Sequence, residues 1–176
     1  MKFDNYSIRS LQSSDLQAYF NLIESNRPRL ASFFTGTVAK TKTINDTKNY
    51  LAEIAKKTED KTYYPFVVVD TNNNTFAGFL DIKNIDWTVP KAELGCYIDE
   101  HYANKGISTK ALQLFTDYCF SEFGFKKLFL RTHQTNASAR RIAEKCGFEI
   151  EGTIRRDYKT TAGDLVDLMY YGKLSN

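Results

Sequence analysis

The sequence predicts an α/β fold in which one mixed, mostly antiparallel sheet of about seven strands packs with about four helices. Two observations support this fold class. A hairpin pattern in the first half of the chain indicates antiparallel pairing, and one long helical segment between two later strands indicates a parallel crossover. The regular alternation of strands and helices found in doubly wound nucleotide-binding sheets does not occur. The prediction is therefore a mixed sheet with one parallel step.

The first half of the chain is predicted to form three strands and two helices. Residues 6–9 alternate in polarity as a strand does, and residues 14–17 have the spacing of a capping box that begins a helix. Arg27-Pro28-Arg29 is predicted to end that helix, because proline lacks the backbone donor that a helix requires. The remaining elements are a helix from Asn45 to about Lys57, a strand at 65–69, a turn at the three asparagines 72–74 and a strand at 76–82.

The second half is predicted to form four strands and two helices. The longest helix carries an apolar face that includes Leu114 and Phe115, and Gly147 is the expected C-cap of the last helix. In chain order, the elements are a strand at 92–98, a helix from 107 to about 123, a strand at 128–132, a helix at 137–146 and strands at 148–156 and 166–173.

The composition is typical of a globular protein that folds as a single domain over residues 1–176. Hydrophobic residues make up 42% and charged residues 26%, which favours a packed core over disorder. The net charge of +3 is not concentrated in a basic stripe, so no nucleic-acid partner is expected. Apolar runs are too short to cross a membrane, and the first five residues lack a signal-peptide core, so we expect no membrane partner and a cytoplasmic location.

Cysteine and histidine usage supports the same location. The three cysteines, Cys96, Cys119 and Cys146, are widely spaced and odd in number, which favours reduced thiols over a disulfide framework. With two histidines and no CxxC pair, no metal site is expected.

The loop before the longest helix is the most informative segment. It has the sequence Asn104-Lys105-Gly106-Ile107-Ser108-Thr109. A strand that ends in such a loop and turns into a helix exposes unpaired backbone N–H groups, and these bind anions together with the helix dipole. Gly106 allows a phosphate to approach the backbone closely. An ordinary turn before a helix would have the same composition, and the spacing is not that of a P-loop.

Several short motifs occur in one order along the chain: Glu93-Leu94-Gly95-Cys96-Tyr97-Ile98-Asp99, the loop 102–109, Asn136-Ala137-Ser138-Ala139-Arg140, Glu144-Lys145-Cys146-Gly147-Phe148 and Glu151-Gly152. Together they resemble the GNAT superfamily of N-acetyltransferases, in particular its RimJ/RimL-like branch. The resemblance covers nearly the whole chain. It implies a sheet that splays apart between its fourth and fifth strands, with acetyl-CoA bound in the opening.

The resemblance also implies which residues hold the cofactor. The expected contacts come from the end of the fourth strand, the loop and the segment after the fifth strand: Cys96, Tyr97, Ile98, Asn104, Lys105, Gly106, Ile107, Ser108, Thr109, Asn136 and Arg140. Asn136 is alternatively a helix N-cap. The family's pyrophosphate pattern, Q/R-x-x-G-x-G/A, falls on residues 103–108, where Ala103 and Ser108 depart from it.

Three side chains are candidates for catalysis. Glu93 could accept the amine proton through a water, although a surface glutamate at a strand end would fit the same pattern. His133 is a second candidate base. Ser138 could protonate the leaving thiolate, or it could simply support the start of its helix. The predicted mechanism is direct attack of the amine on the thioester, with an oxyanion donor near Cys96 or Tyr97.

The predicted function is transfer of an acetyl group from acetyl-CoA to an amine, either the N-terminal α-amine of a protein or a small molecule. Residues 27, 29, 33 and 34, together with Tyr158 and the turn at 160–163, are expected to shape the acceptor pocket, with loop packing as the alternative. Because Ala103 and Ser108 depart from the family pattern, an acetyl-CoA-binding module with little catalysis is the alternative function. An edge strand near the C-terminus would support a homodimer.

Overall fold

The computed structural model describes residues 1–175 and contains, within that range, eight strands and five α-helices. The strands are β1 (Lys2–Phe3), β2 (Tyr6–Ser10), β3 (Tyr64–Asp70), β4 (Thr75–Asp86), β5 (Lys91–Ile98), β6 (Lys127–His133), β7 (Glu149–Lys159) and β8 (Leu165–Leu174). The helices are α1 (Leu16–Leu30), α2 (Thr35–Lys40), α3 (Ile44–Glu59), α4 (Ile107–Phe123) and α5 (Ala137–Lys145).

The strands form one sheet with the order β1-β2-β3-β4-β5-β6-β8-β7. Strands β5 and β6 pair in parallel, and each of the other neighbouring pairs is antiparallel. The predicted fold class is confirmed, but the predicted numbers of strands and helices were each one too low. Strand β1 has two residues and α2 has six, so neither is long enough to give a periodic pattern in the sequence. None of the helices described is long and apolar enough to cross a membrane.

Helix α1 continues through Pro28 to Leu30, so the predicted stop at residues 27–29 is wrong. Proline removes one helical hydrogen bond, but side chains hold this last turn from outside. Asn26 Nδ2 donates to Asp99 Oδ2 over 2.6 Å, and Asn26 Oδ1 accepts from the Glu100 N–H over 3.0 Å. These tertiary hydrogen bonds fasten the end of α1 to the loop that leads into α4.

Capping boxes begin a short 3-10 helix before α1 and the third α-helix. The first box starts at Gln12, two residues earlier than predicted, where the Gln12 N–H donates to the Asp15 carboxylate over 2.8 Å; it caps the 3-10 helix Ser13–Asp15 that leads into α1. In the second box, the Asp46 N–H donates to Thr43 Oγ1 and the Thr43 N–H donates to Asp46 Oδ2, each over 3.1 Å. Helix α3 therefore begins at Ile44, one residue before the predicted start.

The sheet separates two apolar cores. On the face covered by α4 and α5, Phe115 packs edge-to-face against Phe66 with ring centroids 4.9 Å apart. On the face covered by α1 and α3, Tyr19 packs against Phe79 at 5.5 Å. Strand β3 is buried on both faces, which explains its unbroken apolar run.

Strands β5 and β6 pair over only three residues and then separate. The paired residues are Lys91 with Lys127, Ala92 with Leu128 and Glu93 with Phe129. Beyond them β5 continues to Ile98 and β6 continues to His133 without pairing across the gap. The predicted splay is confirmed, and it leaves an opening in the middle of the sheet.

Candidate active site

A cavity of about 1180 Å³ passes through the opening between β5 and β6. On one face of the sheet it reaches the N-terminal ends of α4 and α5, at Gly106 and Ser138. On the other face it reaches Phe34, in the loop before α2, and Tyr158 of β7. A ligand held at the two helix ends can therefore meet a second ligand that enters from the opposite face.

The loop before α4 has the backbone conformation of an anion site. Asn104 and Gly106 both have positive φ angles, of 61° and 77°, and both line the cavity. Asparagine and glycine are the residues that adopt this left-handed conformation most readily. Helix α4 has no side-chain N-cap, so its first N–H groups are open to a ligand. The segment fits the pyrophosphate role that the sequence predicted for it, and Ser108 and Thr109 line the same wall.

Three of the predicted cofactor residues do not turn their side chains to the cavity. Lys105 Nζ donates to the carbonyl of His101 over 2.9 Å. Ile107 lies in the core with 5% of its surface exposed. Arg140 Nε donates to Tyr171 Oη over 3.2 Å. In the structure, Lys105 and Arg140 therefore hydrogen-bond to other residues of the chain, and Ile107 packs in the core.

The segment from the end of β6 to the first turn of α5 brings three predicted residues to the cavity wall. Asn136 caps the helix, because its Oδ1 accepts from the Ala139 N–H over 3.2 Å. The N-cap alternative is therefore correct, but it leaves the Nδ2 donor available for a ligand amide. Ser138 is exposed in the first turn. His133 Nδ1 lies 2.6 Å from Thr135 Oγ1 and also accepts from the Thr135 N–H over 3.3 Å. Both contacts use Nδ1, so Nε2 is the ring nitrogen of His133 that remains available to a ligand.

Backbone N–H groups of β5 point into the opening. The Asp99 N–H donates to the Ala77 carbonyl, on the β4 side, over 2.9 Å. Because N–H groups alternate in direction along a strand, those of Cys96 and Ile98 point toward β6, where pairing has ended. The Tyr97 N–H points to β4 instead. Of the two oxyanion donors that the sequence suggested, Cys96 is the one whose N–H direction fits.

The Cys96 side chain is a protonated thiol at neutral pH. Burial raises its pKa to about 12, with a smaller contribution from the nearby Cys146 and Asp81. The thiolate is the nucleophilic form of cysteine, so an acetylated Cys96 intermediate is disfavoured. Direct attack of the amine needs no protein nucleophile and fits this site better.

Glu93 is not the surface glutamate that one interpretation of its position suggested, since only 4% of it is exposed. Its Oε2 accepts from Asn84 Nδ2 over 2.6 Å and from Arg131 Nε over 3.0 Å, and Arg131 Nη2 lies 2.9 Å away. Lys83 Nζ is 3.9 Å from the other oxygen. Glu93 lines the cavity, but its Oε2 is already bound by the Arg131 guanidinium and the Asn84 amide.

The comparisons with known proteins agree with this geometry. Residues 6–149 match the family described as the acetyltransferase (GNAT) domain. That match spans most of the chain. The chain belongs to the GNAT acetyltransferase family. The family match therefore identifies an acetyltransferase domain.

Individual relatives are similar along most of their length. The spermidine N(1)-acetyltransferase of Escherichia coli K12 is 26% identical over 151 residues, covering 86% of this chain and 76% of that protein. The ribosomal-protein-S5-alanine acetyltransferase of Vibrio fischeri superimposes with a TM-score of 0.88 at 22% identity, covering 100% and 96%. A RimL structure in complex with coenzyme A has a TM-score of 0.87 at 19% identity, covering 98% and 95%. The predicted resemblance to GNAT proteins is confirmed, with RimL among the structural neighbours.

The part of this GNAT cavity that faces α1 and α3 contains charged residues that were not predicted from the sequence. Asp81 and Lys83 of β4 line it beside Glu93, and Arg131 lines it from β6. Burial acts to lower the pKa of Lys83, but the Asp81 and Glu93 carboxylates outweigh it and hold that pKa above its usual value. The sequence did contain a signal for this group. Asp81 and Lys83 are charged residues two positions apart in an otherwise apolar strand, and that spacing places both side chains on one face of the sheet.

Strand β7 and the segment before α2 frame the end of the cavity that faces α1 and α3 in this GNAT protein. Tyr158 Oη accepts from the Thr35 N–H over 2.9 Å and donates to Thr35 Oγ1 over 2.8 Å, which ties β7 to the start of α2. Phe34 lines the cavity next to this link and packs edge-to-face on Tyr97 at 5.0 Å. Of the positions expected here, Arg27 and residues 161–163 do not line the cavity, and Arg27 instead donates to the Val38 carbonyl. Within residues 1–175 no cluster of potential ligands could hold a metal ion.

Proposed function

We propose that this GNAT protein binds acetyl-CoA with its pyrophosphate at the start of α4 and its thioester in the opening between β5 and β6, where an amine attacks from the opposite face. The cavity that joins the two faces of the sheet is the observation that carries this proposal. It brings the open N–H groups at Gly106 into one space with Cys96 and the acceptor-side residues. Direct attack then needs only positioning, an oxyanion donor and a route for two protons.

Specific residues have roles in this proposal. Asn136 Nδ2 donates to a carbonyl of the pantetheine arm, and the N–H of Cys96 stabilises the oxyanion. Ser138, at the exposed start of α5, returns a proton to the leaving thiolate. His133 lines the cavity at the end of β6 and serves as a relay to solvent. These assignments rest on the position of each group along the cavity wall.

The acceptor is an amine of a small molecule or the α-amine of a polypeptide. Relatives of both kinds support this choice, since one is named as a spermidine N(1)-acetyltransferase and another as a ribosomal-protein-S5-alanine acetyltransferase. The two classes differ in how much proton removal they require. An alkylamine has a pKa near 10.4 and is almost fully charged at neutral pH, whereas an α-amine near 7.7–8.0 is partly neutral.

Acetyl-CoA binding and thiol release test the function together. We expect calorimetry to detect acetyl-CoA binding, and thiol release to accelerate when spermidine or an alanine-initiated tripeptide is added. Acetyl-CoA binding without amine-dependent thiol release would favour the alternative of a binding module with little catalysis. Absence of acetyl-CoA binding would contradict both functions.

We also infer that the protein forms a homodimer in the cytoplasm. Strand β7 lies at the edge of the sheet, and its Ile150 and Ile154 are 55% and 49% exposed. Exposed apolar residues on an unpaired edge favour pairing with another strand. The three cysteines are free thiols, which supports a reducing compartment. Light scattering should give the mass of a dimer for the native chain and of a monomer for Ile154→Lys, and a monomeric native chain would contradict the inference.

A further inference from the structure

A row of alternating charges crosses the sheet on the face covered by α1 and α3. Lys83 Nζ lies 3.3 Å from Asp81 Oδ1 and 3.9 Å from Glu93 Oε1. Arg131 joins Glu93 to Asp157, with distances of 2.9 and 3.1 Å. The row therefore runs Asp81, Lys83, Glu93, Arg131, Asp157 and contains three acids and two bases. One negative charge in the row has no cation of its own.

Asp81 is the end of the row with room for another donor. Its side chain is 7% exposed and lines the cavity. Oδ2 accepts from Tyr63 Oη over 2.9 Å, and Oδ1 has only the long 3.3 Å contact with Lys83. A carboxylate has about four lone-pair directions, so Asp81 can accept further hydrogen bonds. At the other end of the row, Asp157 Oδ2 accepts a hydrogen bond of 2.7 Å from Tyr170 Oη as well as the contact with Arg131.

Gly95 holds open the space in which the Asp81 carboxylate lies. It pairs with Asp81 across the β4–β5 ladder, directly before Cys96. A Cβ at this position would collide with Asp81 Oδ1 and come within 2.7 Å of Lys83 Nζ. The carboxylate thus lies over the backbone of β5, one residue from the N–H group assigned to the oxyanion. This places a buried acid beside the site of acetyl transfer.

A second polar group near Asp81, the Tyr97 hydroxyl, has no hydrogen-bond partner within residues 1–175, as is also true of the Tyr19 hydroxyl. Tyr97 is 8% exposed and lines the cavity, and its hydroxyl makes no hydrogen bond within the described part of the chain. Burial raises the pKa of Tyr97 well above its usual value, and the negative charge of Asp81 adds to the effect. The hydroxyl is therefore neutral and can accept a hydrogen bond from a guest cation. Buried polar groups without partners are rare in proteins, and a ligand is one explanation for them.

We propose that Asp81 binds the ammonium group of the acceptor and takes up its first proton. This inference rests on the proposed function and names the residue that receives the amine. The ammonium would donate to Asp81 and to Tyr97 Oη, and its charge would neutralise the row. Glu93 is then a positioning residue, which holds Arg131 and Lys83 in place so that the row stays intact.

The chemistry balances with Asp81 as the first proton acceptor. One N–H proton passes from the ammonium to the Asp81 carboxylate and from there to solvent. The freed nitrogen lone pair forms the C–N bond at the thioester carbonyl carbon, and the C–S bond breaks as the oxyanion collapses. The second N–H proton ends on the thiolate sulfur, which leaves as CoA thiol. The products are the amide, CoA thiol and one released proton.

The expected pH dependence comes from the acceptor. The titratable and charged groups around Asp81 are Tyr19 of α1, Tyr50 of α3, Tyr63 before β3, Lys83 of β4 and Glu93, Cys96 and Tyr97 of β5. The tyrosines and Cys96 keep their protons at neutral pH because burial raises the pKa of each. The amines of spermidine resemble that of lysine, so the fraction that is uncharged rises about 100-fold between pH 7.5 and 9.5.

Asp81→Asn in the full chain tests the inference, because it removes the charge and keeps the shape. With spermidine at pH 7.5, kcat/KM should fall about 100-fold, the magnitude of a lost acid–base group, while the Kd for acetyl-CoA stays within about two-fold. The loss should shrink at pH 9.5, and it should be smaller for an alanine-initiated tripeptide. A merely structural role would give the same loss for both amines at both pH values.

Two further variants keep the test decisive. Asp157→Asn removes the same charge from the far end of the row, and its loss should be at least about ten-fold smaller. Gly95→Ala displaces the Asp81 carboxylate without removing it, so it replaces Asp81→Asn if that variant does not fold. Its kcat/KM with spermidine at pH 7.5 should show most of the fall expected for Asp81→Asn. An unchanged kcat/KM in Asp81→Asn, or a loss independent of pH and amine, would overturn the inference while the proposed function stands. A native chain that binds acetyl-CoA but acetylates neither amine would overturn both.

Discussion

Gly106→Trp is expected to abolish acetyl-CoA binding, with a Kd raised at least about 100-fold, while the chain remains folded. Gly106 is the N-cap of α4, and its φ of 77° places it at the turn where the open N–H groups face the cavity. An indole there would occupy the space that a pyrophosphate needs. A Cβ added at this position would have no atom within 4 Å, so the cost to the protein is mainly the left-handed backbone, about 1–2 kcal/mol.

The other end of the same helix offers a matched control. Gly124 is the C-cap of α4, has a φ of 69° and likewise has no atom within 4 Å of an added Cβ. Gly124→Trp therefore introduces the same side chain and a similar backbone strain far from the cavity. Calorimetry with acetyl-CoA should show binding for Gly124→Trp and none for Gly106→Trp. Equal affinities in the two variants would contradict the placement of the pyrophosphate.

Arg131→Met is expected to lower the free energy of unfolding by about 3 kcal/mol, since removing one partner of a buried ion pair leaves the other uncompensated. Glu93 is 6% exposed at its side chain and would lose its strongest contact, while Asp157 would lose its only cation in the row. Burial acts to lower the pKa of Arg131, but the hydrogen bond and charge of Glu93 raise it, so the guanidinium stays charged. A chain of this length should show a melting temperature lower by about 10 °C.

Lys127→Met is the control for this stability prediction. Lys127 lies on the same strand, and its Nζ pairs with Glu151 over 2.7 Å, but the two side chains are 35% and 38% exposed. Solvent-exposed ion pairs contribute about 0–1 kcal/mol, so thermal unfolding should detect little change. If Arg131→Met and Lys127→Met melted at the same temperature, the row would not be the buried electrostatic element described above.

Side-chain contacts within the protein explain where the structure differs from what the segments alone suggested. Lys105 and Arg140 lie in the segments that the motifs identified, yet His101 and Tyr171 draw their side chains away from the cavity. The predicted stop of α1 failed because Asn26 fastens the last turn to residues about 70 positions later in the chain. For Arg140 and Asn26 the contact is distant in sequence, whereas the contact of Lys105 spans only four residues.

The charge row at the end of the cavity that faces α1 and α3 could not be predicted from the sequence. Asp81 lies in an apolar strand, and nothing in its neighbours indicates that Gly95 leaves space for its carboxylate. The partners of the charge row come from β4, β5, β6 and β7, which are joined only through the sheet order. Glu93 was identified from its motif, but its contacts with Arg131 and Asn84 depend on three-dimensional packing.

The sequence by itself determined the fold class, the succession of most elements and the glycine turn at Gly106 that begins α4. Those features depend on periodicity, backbone conformation and helix ends, which are properties of short segments. Only the tertiary structure decided which side chains face the cavity, that Glu93 is already paired and that the Asp81 carboxylate lies against Gly95. Those features depend on pairing between strands that are distant in sequence. The register of the strands, together with the space left by the missing side chain of Gly95, brings together charged residues that lie far apart along the chain.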